Sequence, residues 1–161
     1  MNDKQAKSPL SRRNFLGIAW AGSLTLIFAQ ALVVMLRFIK PAATKGFGGL
    51  VFAGQLEEFA VNSVKRISSG QFYISRTPDG VIALWQKCPH LGCAVPWDEE
   101  QGVFHCPCHG SIFNQYGEVL SGPSPRAMDF FPVQVDGESL WVDTSQPIDR
   151  VYHDPSHLTE V

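Results

Sequence analysis

The most regular hydropathy feature of the chain is an uninterrupted apolar run near its N-terminus. Residues 15–36 form 22 consecutive positions without a formal charge. As an α-helix, this run would be about 33 Å long, which is enough to cross a membrane core of roughly 30 Å. The pattern therefore predicts one transmembrane anchor helix at residues 15–38.

A possible cleavage site lies inside the apolar run, because residues 29–31 follow an A-x-A pattern. A cleaved signal peptide usually has an apolar core of only about 7–15 residues. Here the apolar residues continue to Leu36. The longer run favours an anchor that is retained over a signal peptide that is removed.

Two arginines, Arg12 and Arg13, stand just before the apolar run in a sequence typical of twin-arginine export signals. This signal predicts that residues 1–14 stay on the cytoplasmic side of a bacterial cytoplasmic or thylakoid membrane. The remainder of the chain would then lie on the periplasmic, outer or luminal side. Basic residues flank both ends of the run, so local charge counting gives little orientation.

A glycine-rich segment, residues 39–49, separates the anchor from the rest of the chain. It contains Gly46, Gly48 and Gly49, which can adopt many backbone conformations. The segment is predicted to be a hinge or a plain spacer. Residues 50–143 would then form one domain, followed by a polar tail at residues 144–161 that we expect to be extended or mobile.

After residue 50, apolar residues occur in short runs separated by turn residues, which is typical of β-strands. Two pairs of runs flank an Asp-Gly turn, at Asp79-Gly80 and at Asp136-Gly137, and predict β-hairpins. No amphipathic helical pattern of ten residues is visible in this part. The pattern predicts an all-β, sandwich-like domain that includes a small antiparallel subdomain.

The charge of this predicted domain limits its partners. Residues 46–161 contain 6 Lys or Arg and 14 Asp or Glu, for a formal charge near −8 at neutral pH. Nucleic-acid binding requires a basic surface, so this class of function is excluded. The acidic balance is compatible with attraction to a basic partner such as a cytochrome c.

Candidate chemistry is concentrated in two short runs, residues 88–93 (CPHLGC) and residues 106–111 (CPCHGS). The two runs together contain four Cys and two His, and each run supplies one Cys and one His at close spacing. Two thiolates and two imidazoles are a complete set of metal ligands, and the two spare cysteines can form a disulfide. This donor set is the one that a Rieske 2Fe–2S cluster requires.

Two other interpretations remain open at this point. A structural zinc site also accepts two Cys and two His, although its usual spacing pairs Cys with Cys and His with His. A framework of two disulfides would leave His90 and His109 without a role. The other histidines fit no ligand spacing: His105 is predicted to lie in a strand, and His153 and His157 are predicted to be solvated.

The order C-x-H-x-G-C and then C-P-C-H-G-S resembles the Rieske iron–sulfur proteins of quinol-oxidising cytochrome bc complexes. The resemblance covers nearly the whole chain, from the anchor through the hinge to the cluster domain. It implies one 2Fe–2S cluster as cofactor. Cys88 and Cys106 would bind one iron as thiolates, and His90 and His109 would bind the other as imidazoles.

The resemblance also implies roles for residues around these ligands. Cys93 and Cys108 would form a disulfide that ties the two loops together. Ser111 would donate its hydroxyl to the cluster, and Gly92 and Gly110 would let backbone N–H groups approach it. Quinol would be contacted by His90, His109 and Leu91. The cluster would be covered by a loop that contains Gly122, Pro123 and Pro125.

Phe113 departs from the family pattern. Many high-potential members have Tyr at this position, where its hydroxyl donates to the sulfur of a ligand Cys. Without that donor the reduced cluster is less stabilised, so we expect a potential below that of the Tyr-bearing members, within the family range of about −150 to +300 mV. A lower potential would suit a lower-potential quinol such as menaquinol.

The resemblance implies an electron-transfer subunit of a quinol–cytochrome c (or plastocyanin) oxidoreductase. It would take one electron, with a proton, from quinol and pass it to a c-type haem, beside a cytochrome b subunit and a c-type cytochrome subunit. The chain alone would be an electron carrier.

Three alternatives are kept beside this one. The first is the Rieske subunit of an exported molybdenum enzyme such as arsenite oxidase, and the second is an anchored zinc-binding interaction module. The third is a Rieske ferredoxin or oxygenase component, which fits less well because those domains lack the pair that matches Cys93 and Cys108.

Overall fold

The computed structural model describes residues 11–39 and 47–161, and the chain divides into two compact units, Met1–Ala43 and Thr44–Val161. Residues 47–161 are called the head domain below. Most of the predicted cytoplasmic segment and most of the predicted hinge lie outside the described residues.

The first unit contains one long helix, α1, Arg12–Ile39. Ser11 caps its start, because the Ser11 Oγ accepts a hydrogen bond from the N–H of Asn14 at 3.3 Å. The helix begins three residues before the predicted anchor, so Arg12 and Arg13 lie in its first turn. By length and apolar composition α1 could cross a membrane, in agreement with the predicted N-terminal membrane helix.

The head domain consists of short antiparallel β-strands in three sheets, as the predicted all-β class requires. The strands are β1 (Leu50–Gln55), β2 (Ser63–Ile67), β3 (Phe72–Thr77), β4 (Gly80–Trp85), β5 (Trp97–Asp98), β6 (Val103–His105), β7 (Ile112–Phe113), β8 (Val119–Ser121), β9 (Phe130–Phe131), β10 (Val133–Asp136) and β11 (Ser139–Asp143).

Two of the sheets share one apolar core. One has the strand order β1-β11-β10, and the other has the order β2-β3-β4-β9. Side chains from both sheets form a single buried cluster that includes Phe72, Val81, Phe131 and Leu140. This pairing of sheets is the sandwich part of the head domain.

The third sheet, β5-β6-β7-β8, forms the small subdomain. A second buried cluster joins it to β3 and β4, where the rings of Tyr73 and Phe104 lie 5.1 Å apart between centroids. Both faces of β3 and β4 are therefore covered. This explains why residues 81–85 form a continuous apolar run, in which apolar and polar residues do not alternate.

Both predicted hairpins form. β3 and β4 pair as far as Thr77 and Gly80, and β10 and β11 pair as far as Asp136 and Ser139. One detail differs from the sequence pattern, because the single run before the Asp136-Gly137 turn is split between β9 and β10. Pro132 lies at the break, since it has no N–H to donate to a strand ladder.

The C-terminal segment corrects the expectation of an extended or mobile tail at residues 144–161. It returns to the second sheet, where Ile148 and Thr159 form isolated β-bridges. Arg150 is only 6% exposed, and its Nε donates to the carbonyl of Met128 at 2.8 Å. The polar composition misled the prediction, because the polar groups of this segment are satisfied by hydrogen bonds to the domain.

The two histidines of this segment are half-buried, whereas they were predicted to be solvated. Each places its Nδ1 close to the Arg150 guanidinium, at 3.3 Å for His153 and 3.4 Å for His157. The His153 ring packs on Tyr116, and the His157 ring packs on Phe130. The tail is thus held by a polar cluster around one buried arginine.

Candidate metal centre

The first motif run forms a closed loop at residues 88–93. The N–H of Cys88 donates to the carbonyl of Cys93 at 2.8 Å, and the N–H of Gly92 donates to the carbonyl of Cys88 at 2.8 Å. Gly92 has a φ of +80°, a conformation that L side chains rarely adopt. The turn therefore depends on this glycine, and it leaves His90 near its middle.

The second motif run repeats the same backbone plan at residues 106–111. The N–H of Cys106 donates to the carbonyl of Ser111 at 2.8 Å, and the N–H of Gly110 donates to the carbonyl of Cys106 at 3.0 Å. Gly110 also has a positive φ, of +73°. The two cysteines that open the loops therefore occupy equivalent backbone positions.

The predicted disulfide between Cys93 and Cys108 is present and joins the two loops. The Sγ atoms of Cys93, Cys106 and Cys108 all lie within 4.8 Å of one another. These three residues are not a metal-binding set, because two of the sulfurs are bonded to each other. The disulfide instead holds the loops together beside the two free thiols, Cys88 and Cys106.

The four predicted ligands differ sharply in burial. Cys88 and Cys106 are 3% and 2% exposed, whereas His90 is half-buried and His109 is exposed. The two imidazole rings lie 4.9 Å apart between centroids and stand perpendicular. The loops thus bring together a donor set with a buried thiol side and an accessible imidazole side.

The surroundings of Cys88 disfavour a free thiolate but offer backbone donors to a metal-bound one. Burial raises the pKa of the Cys88 thiol, and the neighbouring thiol of Cys106 adds to this rise. Backbone N–H groups of His90 and Leu91 act in the opposite direction by donating to the sulfur. These donors are what a metal-bound thiolate requires, so the residues present fit an iron–sulfur cluster.

Two predicted tuning residues are buried beside the thiols. Ser111 is fully buried, and its Oγ accepts a hydrogen bond from the N–H of Ser124 at 3.1 Å. The hydroxyl hydrogen of Ser111 is left to donate to another group. Phe113 is fully buried in the same apolar cluster as Cys88 and Cys106, and its ring offers no donor.

The predicted cover loop passes directly against the second motif loop. A Cβ on Gly122 would lie 2.5 Å from the Cα of Ser111 and 2.8 Å from the carbonyl oxygen of Gly110. Pro123 and Pro125, on the same loop, are exposed. The close approach supports a covering position, and the effect on the cluster stays a prediction.

One feature beside the first loop was not singled out from the sequence. A pocket of about 350 Å³ opens next to His90 and Leu91. In the sequence, Lys87 directly before Cys88 could have indicated this pocket. The opposite wall is formed by Arg126 and Asp129, which are distant in the sequence and could not be assigned to it. The side chains that line it outside the loop are Trp85, Lys87, Arg126 and Asp129.

Comparison with known proteins agrees with an iron–sulfur site at these two loops. A family model described as the Rieske [2Fe-2S] domain matches residues 50–134. The cytochrome b6-f complex iron-sulfur subunit of Synechococcus sp. (strain JA-2-3B'a(2-13)) is 32% identical over 149 residues, which cover 82% of this chain and 86% of that protein. The cytochrome b6-f complex iron-sulfur subunit 2 of Synechocystis sp. (strain ATCC 27184 / PCC 6803 / Kazusa) is 30% identical over 157 residues, which cover 84% and 87%.

Among solved structures, a chain of a hyperthermophilic respiratory complex III is 29% identical, with a TM-score of 0.47. The match covers 78% of this chain and 97% of that chain.

The chain therefore belongs to the Rieske [2Fe–2S] family. It is an electron-transfer protein that carries one 2Fe–2S cluster, and its relatives group it with the Rieske proteins of cytochrome bc-type complexes. This grouping favours the bc-type function over the molybdenum-enzyme alternative, and the family favours an iron–sulfur cluster over zinc.

Proposed function

We propose that this Rieske protein is the iron–sulfur subunit of a membrane quinol–cytochrome c or plastocyanin oxidoreductase. It would work beside a cytochrome b subunit and a c-type cytochrome subunit, as an electron carrier within the complex. The two cytochrome b6-f subunits that match more than 80% of the chain support this assignment. The apolar helix α1 supports attachment to membrane lipid.

The ligand set that we propose is Cys88 and Cys106 on one iron and His90 and His109 on the other. The contrast in burial carries this proposal, because both thiols are nearly inaccessible while His109 is exposed. When bound, a Rieske cluster supplies one-electron transfer. The chain contributes anionic thiolates from the interior and imidazoles at the surface.

Quinol oxidation releases protons as well as electrons, and an accessible imidazole can accept one. We propose that His90 or His109 hydrogen-bonds a quinol hydroxyl through Nε2, the nitrogen left free when Nδ1 is the iron ligand. With a cluster bound, the ring would lie next to the metal charge that changes on reduction, so it could take up a proton together with the electron. Leu91, 70% exposed beside His90, offers an apolar contact for the quinol ring.

The side of the membrane and the quinol are also parts of the proposal. Arg12 and Arg13, directly before the apolar run, support export of the head domain to the periplasmic or luminal side. The disulfide Cys93–Cys108 suits an oxidising compartment. The missing hydroxyl at Phe113 supports a lower-potential quinol such as menaquinol.

An EPR-monitored redox titration of the purified full-length chain, repeated at several pH values, tests this proposal. We expect a Rieske signal in the reduced state, with a midpoint potential that falls as pH rises, because uptake of the electron would be coupled to uptake of a proton. Cys88→Ser should abolish the signal. A paired Cys93→Ser and Cys108→Ser change keeps all four proposed ligands and should retain the signal at lower yield.

A folded and metal-loaded chain without this signal would contradict the proposal and would favour zinc. A Cys88→Ser variant that keeps an unchanged signal would contradict the ligand assignment while leaving the family membership intact.

A further inference from the structure

Basic residues are scarce in the head domain, and nearly all of them have protein partners. The six Lys and Arg side chains of residues 47–161 compete with 14 carboxylates. Five of the six donate to an oxygen of the described chain. These are Lys65 to Glu58, Arg66 to Gln86, Arg76 to the carbonyls of Leu56 and Phe59, Arg126 to Asp129, and Arg150 to the carbonyls of Met128 and Tyr116.

Lys87 is the exception among the residues that the structure describes. Its ammonium makes neither an ion pair nor a hydrogen bond there, and it stands over the Trp85 ring at 4.9 Å from the centroid. Its Cε would lie 2.7 Å from a Cβ on Gly92, so its aliphatic stem lies against the backbone of the first motif loop. Lys87 is exposed to solvent.

The Trp85 ring under Lys87 is packed against other aromatic rings of the head domain. Trp85 packs against Phe131, with ring centroids 6.0 Å apart, and stacks on Phe47 at 6.2 Å. The backbone N–H of Trp85 donates to the carbonyl of Asp129 at 2.8 Å. A cation held on an aromatic face of fixed position keeps its charge available to an incoming anion.

The pocket beside His90 therefore has one uncompensated positive charge. On its other wall, Arg126 is neutralised by Asp129, which is largely buried and bonds the guanidinium with both oxygens. The remaining charge is that of Lys87, in a domain whose balance is otherwise acidic. The charge lies beside the exposed Leu91 and the half-buried His90, whose ring contacts that of the exposed His109.

We propose that Lys87 is a docking contact for a carboxylate side chain on the haem protein that takes the electron from this head domain. The inference rests on the proposed function and deepens it. Electrons must leave through the accessible imidazole side, so the acceptor has to approach the face that carries Lys87. Quinol is uncharged and has no anion for this ammonium, whereas an acidic side chain of a protein acceptor complements it. A lysine suits such a contact because its point charge tolerates several approach angles.

The test compares Lys87→Gln and Lys87→Glu with Lys65→Gln in membranes that contain the assembled complex. Lys65→Gln removes the same charge from the head domain at a site that already pairs with Glu58. The measured quantities are the rate of electron transfer from the cluster to the acceptor haem at several salt concentrations, and the EPR midpoint potential of each variant.

We expect Lys87→Gln to slow the transfer about two- to fivefold at low salt, and Lys87→Glu to slow it further, since rim ion pairs have effects of this size. The salt dependence of the rate should flatten or reverse in these variants, because added salt screens the contact. The Lys65→Gln variant should match the unmodified chain.

Equal rates in the Lys87 and Lys65 variants would overturn the docking contact while leaving the proposed function intact. A slower transfer that is fully explained by a shifted midpoint potential would also overturn it, since Lys87 would then act on the cluster energy. A slower quinol-oxidation step with unchanged transfer to the haem would assign Lys87 to the other partner and overturn the inference. Absence of haem reduction in the unmodified complex would refute the proposed function itself.

Discussion

Phe113 is the residue at which we predict that one missing hydroxyl group affects the redox potential of the site. Its ring is fully buried in the cluster of side chains that contains Cys88 and Cys106. Phe113→Tyr should raise the midpoint potential, because a hydroxyl that donates to a ligand sulfur stabilises the reduced and more negative state. A gain of roughly 1 kcal/mol from such a hydrogen bond corresponds to a shift on the order of 50 mV for one electron.

An EPR redox titration of the Phe113→Tyr variant measures this shift. Phe104→Tyr is a matched control, because Phe104 is equally buried and pairs directly with Phe113 across β6 and β7. It adds the same hydroxyl at a position that the family pattern does not aim at a sulfur. An unchanged potential in Phe113→Tyr, or an equal shift in both variants, would refute this explanation.

At the residue scale, the sequence allowed a metal-ligand set and a disulfide to be predicted, because the spacing of Cys and His within each motif run is a local property. The resemblance carried by the two motif runs predicted the disulfide between Cys93 and Cys108, and the structure confirms it. Contacts between residues that are distant in the sequence could not be predicted in this way. The bond from Ser124 to Ser111 spans 13 positions and exists only because the cover loop folds back onto the second motif loop.

At the scale of elements, long runs and turn residues were predicted well, and very short strands were not. The Asp-Gly turns identified both hairpins because glycine adopts the positive φ of such turns. The strands β5 and β7 contain only two residues each, too few to show any periodicity. Their pairing comes from the subdomain around them, including the disulfide and the shared apolar cluster.

Gly122, in the cover loop, has no room for a side chain. A methyl group at this position would lie 2.5 Å from the Cα of Ser111 and would push the loop away from the second motif loop. Gly122→Ala should therefore reduce stability by about 1–3 kcal/mol through overpacking. The strain of its positive φ adds about 1–2 kcal/mol. Iron release to a chelator should also become faster.

Gly137→Ala provides the matched control, because Gly137 has a φ of +60° but no atom within 4 Å of an added Cβ. It should show the conformational cost alone. Chemical unfolding and the rate of iron release are measured for both variants. If the two variants release iron equally fast, the loop does not protect the cluster and its covering role is wrong.

At the scale of the whole molecule, the C-terminal segment is part of the folded head domain. Burial lowers the pKa of Arg150 to about 10, and the nearby carboxylates of Glu118 and Asp129 offset part of this effect. The guanidinium donates to the carbonyls of Met128 and Tyr116. Sequence patterns predict the burial of apolar residues. Residues 144–161 are held by one buried cation, so their polar sequence led to the prediction of an extended or mobile tail.

This polar cluster makes the stability of the head domain depend on pH. The pKa values of His153 and His157 are lowered, first by burial and then by the positive charge of Arg150. The carboxylates of Glu118 and Asp154 act in the opposite direction and do not reverse the shift for His153. The unfolded chain therefore binds protons more readily than the folded chain as pH falls below about 6.5, so acid should destabilise the fold.

Chemical unfolding of the full-length chain in detergent, from pH 8 to pH 5.5, measures this dependence. A His153→Gln and His157→Gln double variant leaves His90 and His109 unchanged. Comparison with it distinguishes the pH dependence due to the two tail histidines from that due to the predicted ligands. The difference in unfolding free energy between the two proteins should vary with pH below about 6.5 and level off above it, since both tail imidazoles are then neutral in either state. A difference that is constant across the whole range would mean that neither histidine titrates against Arg150 in the folded protein.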